Sequence, residues 1–305
     1  MSLGRTLKQT LRSRLSVLRR DRPAALGVLF HGLFLDSSEI EHQRLDAQQG
    51  ITMEQMRHFI EHFLAAGYHF ISPEEERHDL DAEGRYLFIT FDDGYANNLR
   101  MLPLLEEYAI PATFYVTTGN IEEQTCFWWD VVHRERSRQG IPRAEISREQ
   151  KLLKNRPHDQ IIAYLRREFG PDCLRPWSDT DRPMTLDELK ELAAHPWARV
   201  GNHTRDHHLL DRYSRTEVRE QIRRAQEDLG NWLGRPPRSI AYPNGNFSAD
   251  VAEAARAEGL TCGLTLEKHK NRLPLEGDFR LGRFTLWGNQ DIDRQCRIFR
   301  SDLPL

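Results

Sequence analysis

The chain has 305 residues, enough for one large domain or two ordinary ones and for a sizeable buried core. Hydrophobic residues make up 39% and charged residues 29%, and the formal net charge of -3 gives no global reason to expect nucleic acid as a partner. No apolar run approaches the roughly 18 residues of a membrane span, and the N-terminus lacks the continuous apolar core of a secretory signal, so the chain reads as cytoplasmic. Cys126, Cys173, Cys262 and Cys296 are scattered without paired spacing, which predicts reduced structural thiols over a zinc knuckle or a disulfide framework.

Residues 1–24 come first. Arg5, Lys8, Arg12, Arg14, Arg19 and Arg20 occur without an intervening acid, and Leu7, Leu11, Leu15 and Leu18 recur at helical spacing, so a basic amphipathic helix is expected. Such a helix could touch an anionic membrane surface through residues 5–20, or dock leucine side down on the domain that follows, the more ordinary arrangement.

From residue 25 the pattern alternates. Residues 25–30 read as a buried strand that delivers His31-Gly32 at its C-terminal end. An amphipathic helix over 53–66 carries Met53, Met56, Phe59, Ile60, Phe63 and Leu64 and is closed by Gly67, and a short strand follows at 68–71. A strand over 86–91, a helix over 97–108 and a strand over 112–116 continue the order. Between about 120 and 183 the alternation stops: an aromatic helix begins near Phe127-Trp128-Trp129, and Ile161, Ile162, Leu165 and Phe169 mark another, which predicts an inserted helical lobe. Helices at 185–194, 215–233 and 248–258 then alternate with strands at 198–201, 238–242 and 260–264. Repeated strand–helix order means a parallel sheet, rolled toward a barrel.

Two stretches carry chemistry. The strand at 86–91 ends in Asp92-Asp93-Gly94, so two adjacent carboxylates sit at the C-terminal end of a buried strand, where α/β folds place ligands. A surface Asp-Asp-Gly turn is the common alternative. Against it stand His203 and His207, four residues apart after another strand end, on the same expected rim and able to share one metal ion. Two acids so close are not comfortably ionised together without a cation between them. One carboxylate and two imidazoles leave coordination places open, the arrangement of a hydrolytic centre.

These stretches resemble a known family. Thr90-Phe91-Asp92-Asp93-Gly94, His203-Thr204-Arg205-Asp206-His207 and Ala241-Tyr242-Pro243-Asn244-Gly245 are similar, in order, to the first three motifs of the polysaccharide deacetylases, over about residues 26 to 285. The resemblance implies a distorted (β/α)7-type barrel and a divalent metal, usually zinc, that activates water to remove an acetyl group from an N-acetylated sugar. It implies Asp92 as general base, Asp93, His203 and His207 as metal ligands, and the backbone N–H of Asn244 as oxyanion donor, with Tyr242 and Pro243 beside it at the oxyanion and substrate region in a turn that Pro243 and Gly245 shape. His208 lies outside the motif.

The chain also departs from the family pattern. Ala241 stands where an arginine often pairs with the catalytic acid, and Arg283 is the candidate to take that part. No histidine follows His269, so the C-terminal histidine that supplies the family's general acid is absent. His31 is the expected substitute, because Leu29-Phe30-His31 is similar to the Tyr-His of the poly-N-acetylglucosamine deacetylase branch. The expected substrate is an N-acetylated saccharide, or a glycolipid- or nucleotide-linked precursor of a bacterial surface glycan. An O-acetyl esterase or non-sugar amidase on the same site, and an inactive glycan-binding protein, are the alternatives. Trp128, Trp129 and Trp287 are left to packing, the commoner duty of tryptophan.

Overall fold

The computed structural model describes residues 21–41, 45–74, 80–275 and 279–301; most of the basic segment at 1–24, including residues 5–20, lies outside the described residues. The strands are β1 (Ala24–Phe30), β2 (Leu33–Phe34), β3 (Ile51–Thr52), β4 (His69–Phe70), β5 (Arg85–Phe91), β6 (Ala112–Val116), β7 (Ala198–Asn202), β8 (Ser239–Ala241), β9 (Cys262–Leu264) and β10 (Phe284–Thr285). All but β2 and β3 form one parallel sheet in the order β10-β1-β5-β6-β7-β8-β9, with β4 beside the first half of β5. Leu281 bridges to Leu264 just before β10 joins β1, so the sheet curls round on itself and closes incompletely. This is the expected α/β distorted barrel with inserted helices.

The pleat sorts the side chains. Leu87, Ile89 and Phe91 belong to the outer core with Leu26, Val28, Phe30 and Phe114, whereas Tyr86 and Phe88 belong to the inner cluster with Tyr115, Ala241 and Leu281. Outside, the helix Met53–Ala65 lays Met56, Phe59, Ile60 and Phe63 on the sheet, started by a reciprocal capping box between Thr52 and Gln55. The Phe91 and Phe114 rings stack at 5.1 Å, directly beneath the acidic turn. The same period of two puts Asp92 on the inner face with Phe88 and Thr90.

Several elements differ from the sequence reading, which has nothing at the helices Thr118–Glu123 and Ile292–Arg300. The helix expected over 97–108 splits into a 3-10 turn, Ala96–Met101, and an α-helix, Leu102–Tyr108, because Pro103 opens the latter and has no N–H to continue the former. The buried Asn98 uses the tight turn to donate to the His31 carbonyl at 2.6 Å. No apolar stripe marks the helix Arg143–Leu153 in the sequence, because Ile146 and Leu153 are its only buried residues. It packs with the helices Trp128–Arg138 and His158–Phe169 around Val131, Val132, Ile146, Leu153, Ile161 and Leu165. Finally, β10 is two residues long, below what alternation can signal. The four cysteines are buried and none is in a disulfide.

Candidate metal centre and active-site cleft

Parallel strands bring their C-terminal ends to one rim, and the chemistry-bearing residues follow those ends: His31 after β1, Asp92 and Asp93 after β5, His203 after β7 and Asn244 after β8. The end of β6 ties the two main turns together. Thr117 N–H donates to the Asp93 carbonyl (3.1 Å), while His203 N–H donates to Val116 (3.1 Å) and Gly119 N–H to Arg205 (2.8 Å). Behind the histidine turn, the helix Arg215–Leu233 supplies Gln221, whose amide clasps Asp206 at its backbone N–H and its carboxylate (2.9 and 2.7 Å).

Strained backbone concentrates here. Asp93 (φ 76°), Thr204 (φ 65°), His207 (φ 53°) and Asn244 (φ 58°) all hold left-handed conformations that non-glycine residues rarely adopt. At Asp93 the reason is plain: an ordinary strand would send it to the opposite face from Asp92, and the positive φ turns it back. Gly94 (φ 90°) completes the turn, where a Cβ would lie 3.0 Å from the Val116 side chain.

The turn creates a metal-binding triad. One ligand atom each from Asp93, His203 and His207 lies within 4.8 Å of the others. His203 Nε2 is 3.4 Å and His207 Nε2 3.3 Å from Asp93 Oδ1, yet both Asp93 oxygens are buried without a hydrogen-bond partner. The three groups converge without pairing. His203 Nδ1 lies 2.7 Å from the Ala241 carbonyl, which can only accept, so the hydrogen sits on Nδ1 and the Nε2 lone pair faces the centre. A buried carboxylate with no donor is costly, and a divalent cation among these ligands removes the cost. The residues present therefore fit such an ion. Burial would push the His203 imidazole down, but Asp92 and Asp93 outweigh it and hold it above its ordinary value; burial holds His207 below.

Asp92 is held from behind. Arg283, fully buried inside the half-barrel, donates from Nη1 to Oδ1 (2.7 Å) and from Nη2 to Oδ2 (2.8 Å), and its other bonds run to Thr90 Oγ1 and the Thr265 carbonyl. Burial would raise the Asp92 carboxyl, but the guanidinium, aided by His203, holds it below the usual range. Oδ2 faces the triad, 4.0 Å from His203 Nε2. His31 stands by the other oxygen of Asp93, with Nε2 3.9 Å from Oδ2 and Nδ1 2.9 Å from Gln49 Oε1.

The triad opens into a cleft of about 520 Å3 between the barrel rim and the inserted helices. Of the third motif, Asn244 lines it; Pro243 is buried, and the buried Tyr242 donates its hydroxyl to the Phe279 carbonyl at 3.1 Å. His208 stays off the triad, stacked on Tyr213 at 4.4 Å. Sequence reasoning passed over several of the lining residues. Trp128 and Trp129 both line the cleft, and the Trp129 ring lies 4.7 Å from the His207 ring, with its Nε1 donating to Tyr95. Lys154 and Arg212 line it as well. The tryptophan pair was a visible signal; the two cations gave none.

The curled parallel sheet and the Asp-His-His triad at its strand ends define a metal-dependent hydrolase. The polysaccharide deacetylase family model matches residues 79–263, more than half of the chain, and the protein belongs to that family. A solved structure of the Streptococcus pyogenes deacetylase PplD in complex with acetate is similar at TM-score 0.63 and 18% identity, over 93% of this chain and 100% of that one. IcaB from Ammonifex degensii is similar at 0.60 and 18%, over 91% and 97%. A de-N-acetylase from Aggregatibacter actinomycetemcomitans follows at 0.61 and 17%, over 90% and 99%. Among curated proteins there is no match.

Proposed function

We propose that the protein hydrolyses the N-acetyl group of a sugar in a bacterial surface polysaccharide or its precursor, releasing acetate and a free amine. The observation that carries this reading is the unpartnered Asp93 carboxylate between two Nε2 atoms, with Asp92 and His31 on its flanks. The choice of acetyl leans on the fold neighbour described in complex with acetate. Within the family we favour the poly-N-acetylglucosamine branch, because His31 stands at the centre and no histidine follows His269.

An amide resists hydrolysis because its carbonyl is a poor electrophile and its nitrogen a poor leaving group. A divalent ion, zinc in this reading, held by Asp93, His203 and His207 would polarise the acetyl carbonyl and acidify water. Asp92, kept ionised and oriented by Arg283, takes a proton from the attacking water as oxygen bonds to the carbonyl carbon. The Asn244 N–H donates to the resulting oxyanion. His31, whose Nδ1 hydrogen is committed to Gln49, delivers a proton from Nε2 to the nitrogen as the C–N bond breaks. Acetate and amine then leave.

Acetate release from N-acetylglucosamine oligomers by metal-loaded protein tests the reading. His31→Ala is expected to lower kcat by about a hundredfold or more while metal content stays the same. A folded, metal-loaded protein that cleaves O-acetyl esters but no N-acetyl sugar would shift the reading to an esterase. Saccharide binding without any turnover would make it a glycan-binding protein.

A further inference from the structure

We infer that the cleft takes a sugar bearing a phosphoryl group, and that Lys151, Lys154, Arg156 and Arg212 form the subsite for that charge. The inference rests on the deacetylase reading above and deepens it by naming the substrate class. All four residues line the same cleft as the triad. Lys151 sits in the last turn of the helix Arg143–Leu153, Lys154 caps that helix and Arg156 follows in the next loop. Arg212 comes from the 3-10 turn Leu210–Arg212, five residues beyond His207, and its Nη1 donates to the Lys154 carbonyl at 2.8 Å, so lobe and rim meet at this point.

The charge balance is lopsided. None of the four has a carboxylate within ion-pair distance among the described residues, although nearby arginines do: Arg136 pairs with Glu149, Arg143 with Asp46 and Arg205 with Asp228. Of the cleft's own acids, Asp46 is paired by Arg143 and Asp92 by Arg283, and Asp93 faces the metal position between the two histidines. Lys154 is the telling member. Burial and the nearby Arg212 push its ammonium below the ordinary lysine value, yet among the described residues the ammonium's hydrogen-bond partner is the Asn244 side chain. A partly desolvated cation whose partner is a neutral amide gains from an anionic ligand. Four cations also exceed what one carboxylate needs, and a phosphoryl group, with up to two charges and three acceptor oxygens, matches them better. A cleft of about 520 Å3 holds a monosaccharide with its phosphate.

Calorimetry on the metal-loaded, full-length protein, with N-acetylglucosamine 1-phosphate and N-acetylglucosamine as probes, tests this. The phosphorylated sugar is expected to bind at least about tenfold tighter, the gain from a single charge-assisted hydrogen bond, and to lose that advantage as salt rises. In the Arg156→Ala/Arg212→Ala double variant, folded by its thermal transition and with full metal content, the ratio is expected to fall toward one. UDP-N-acetylglucosamine and a polyprenyl-phosphate-linked N-acetyl sugar in detergent separate a nucleotide source from a lipid source. Equal affinity for charged and neutral sugar, or a ratio the double variant leaves unmoved, overturns the proposal. Loss of acetate release from every sugar with the affinity ratio intact overturns the deacetylase reading and leaves the anion subsite standing.

Discussion

Arg283 grips both oxygens of Asp92, at 2.7 and 2.8 Å, across 191 residues of sequence. The two groups are buried together, so each is the other's counter-ion, and the fork-on-carboxylate geometry fixes the plane of the carboxylate as well as its charge. Ala241, in the third motif, leaves that place to an arginine carried just before β10, whose strand-end neighbour Leu281 bridges to Leu264, the β9 partner of Ala241.

Breaking this pair is expected to be expensive. Arg283→Met strands a buried carboxylate and should cost about 3–5 kcal/mol in chemical denaturation. Arg283→Lys keeps the charge but loses the fork, so kcat/KM should fall by about a hundredfold with metal content unchanged. Because Arg283 is what holds the Asp92 carboxyl down against burial, weakening the pair raises it. The acidic limb of the pH–rate profile should therefore move to higher pH.

Metal removal should destabilise the fold. Asp93 presents two buried, unpartnered oxygens, so an ion binds the native state and leaves the unfolded chain largely alone. With the ion at about a thousand times its Kd, linkage gives roughly 4 kcal/mol, or on the order of 10 °C in Tm. A chelator should reverse that shift in the wild type and change nothing in His203→Ala. Equal Tm with and without chelator in the wild type would sink the metal site.

Stability should fall on mild acidification, partly through His208. Burial, with His158 next to it, pushes this imidazole down to about 4, and its Nδ1 is buried without a partner. Between about 4 and the ordinary histidine value the unfolded chain binds a proton that the folded one refuses, so stability is present above that window and lost as pH falls through it. His208→Phe keeps the stack on Tyr213 and is expected to flatten the slope, raising stability near pH 5 by on the order of 1–2 kcal/mol. Urea midpoints measured from pH 7 to pH 4 provide the check.

Asp130 is expected to hold its proton to higher pH than an ordinary carboxyl. It is fully buried, burial drives its carboxyl well above the usual range, and it accepts from the Tyr95 hydroxyl (2.6 Å) and the Asp46 N–H (2.8 Å). Asp130→Asn preserves shape and polarity and should cost under about 1 kcal/mol. Asp130→Ala leaves both donors unsatisfied and should cost about 2–4 kcal/mol. The same variant should loosen Trp129, which donates to Tyr95 and packs on His207, and so raise KM.

Much of the centre was legible because it is local. An apolar run ending in Asp92-Asp93-Gly94 announces a strand end whatever the chain does elsewhere, and His203 and His207 share one turn. The structure brings Asp93, His203 and His207 within reach of one ion, the set that the family resemblance implies. The helix Arg143–Leu153 was not legible, since two buried positions in eleven residues make no stripe.

By itself, the sequence determined the strand order of chemistry along the rim, through the alternation of buried runs and amphipathic helices and through short motifs whose backbone sets their own geometry. Only the tertiary structure seated Arg283, a candidate in the sequence, behind Asp92, leaned Trp129 on His207 and set the lobe's lysines in the wall of the cleft. Those relationships join residues far apart in the chain. No local period encodes them, and they arise only when the sheet curls and the inserted helices pack across its rim.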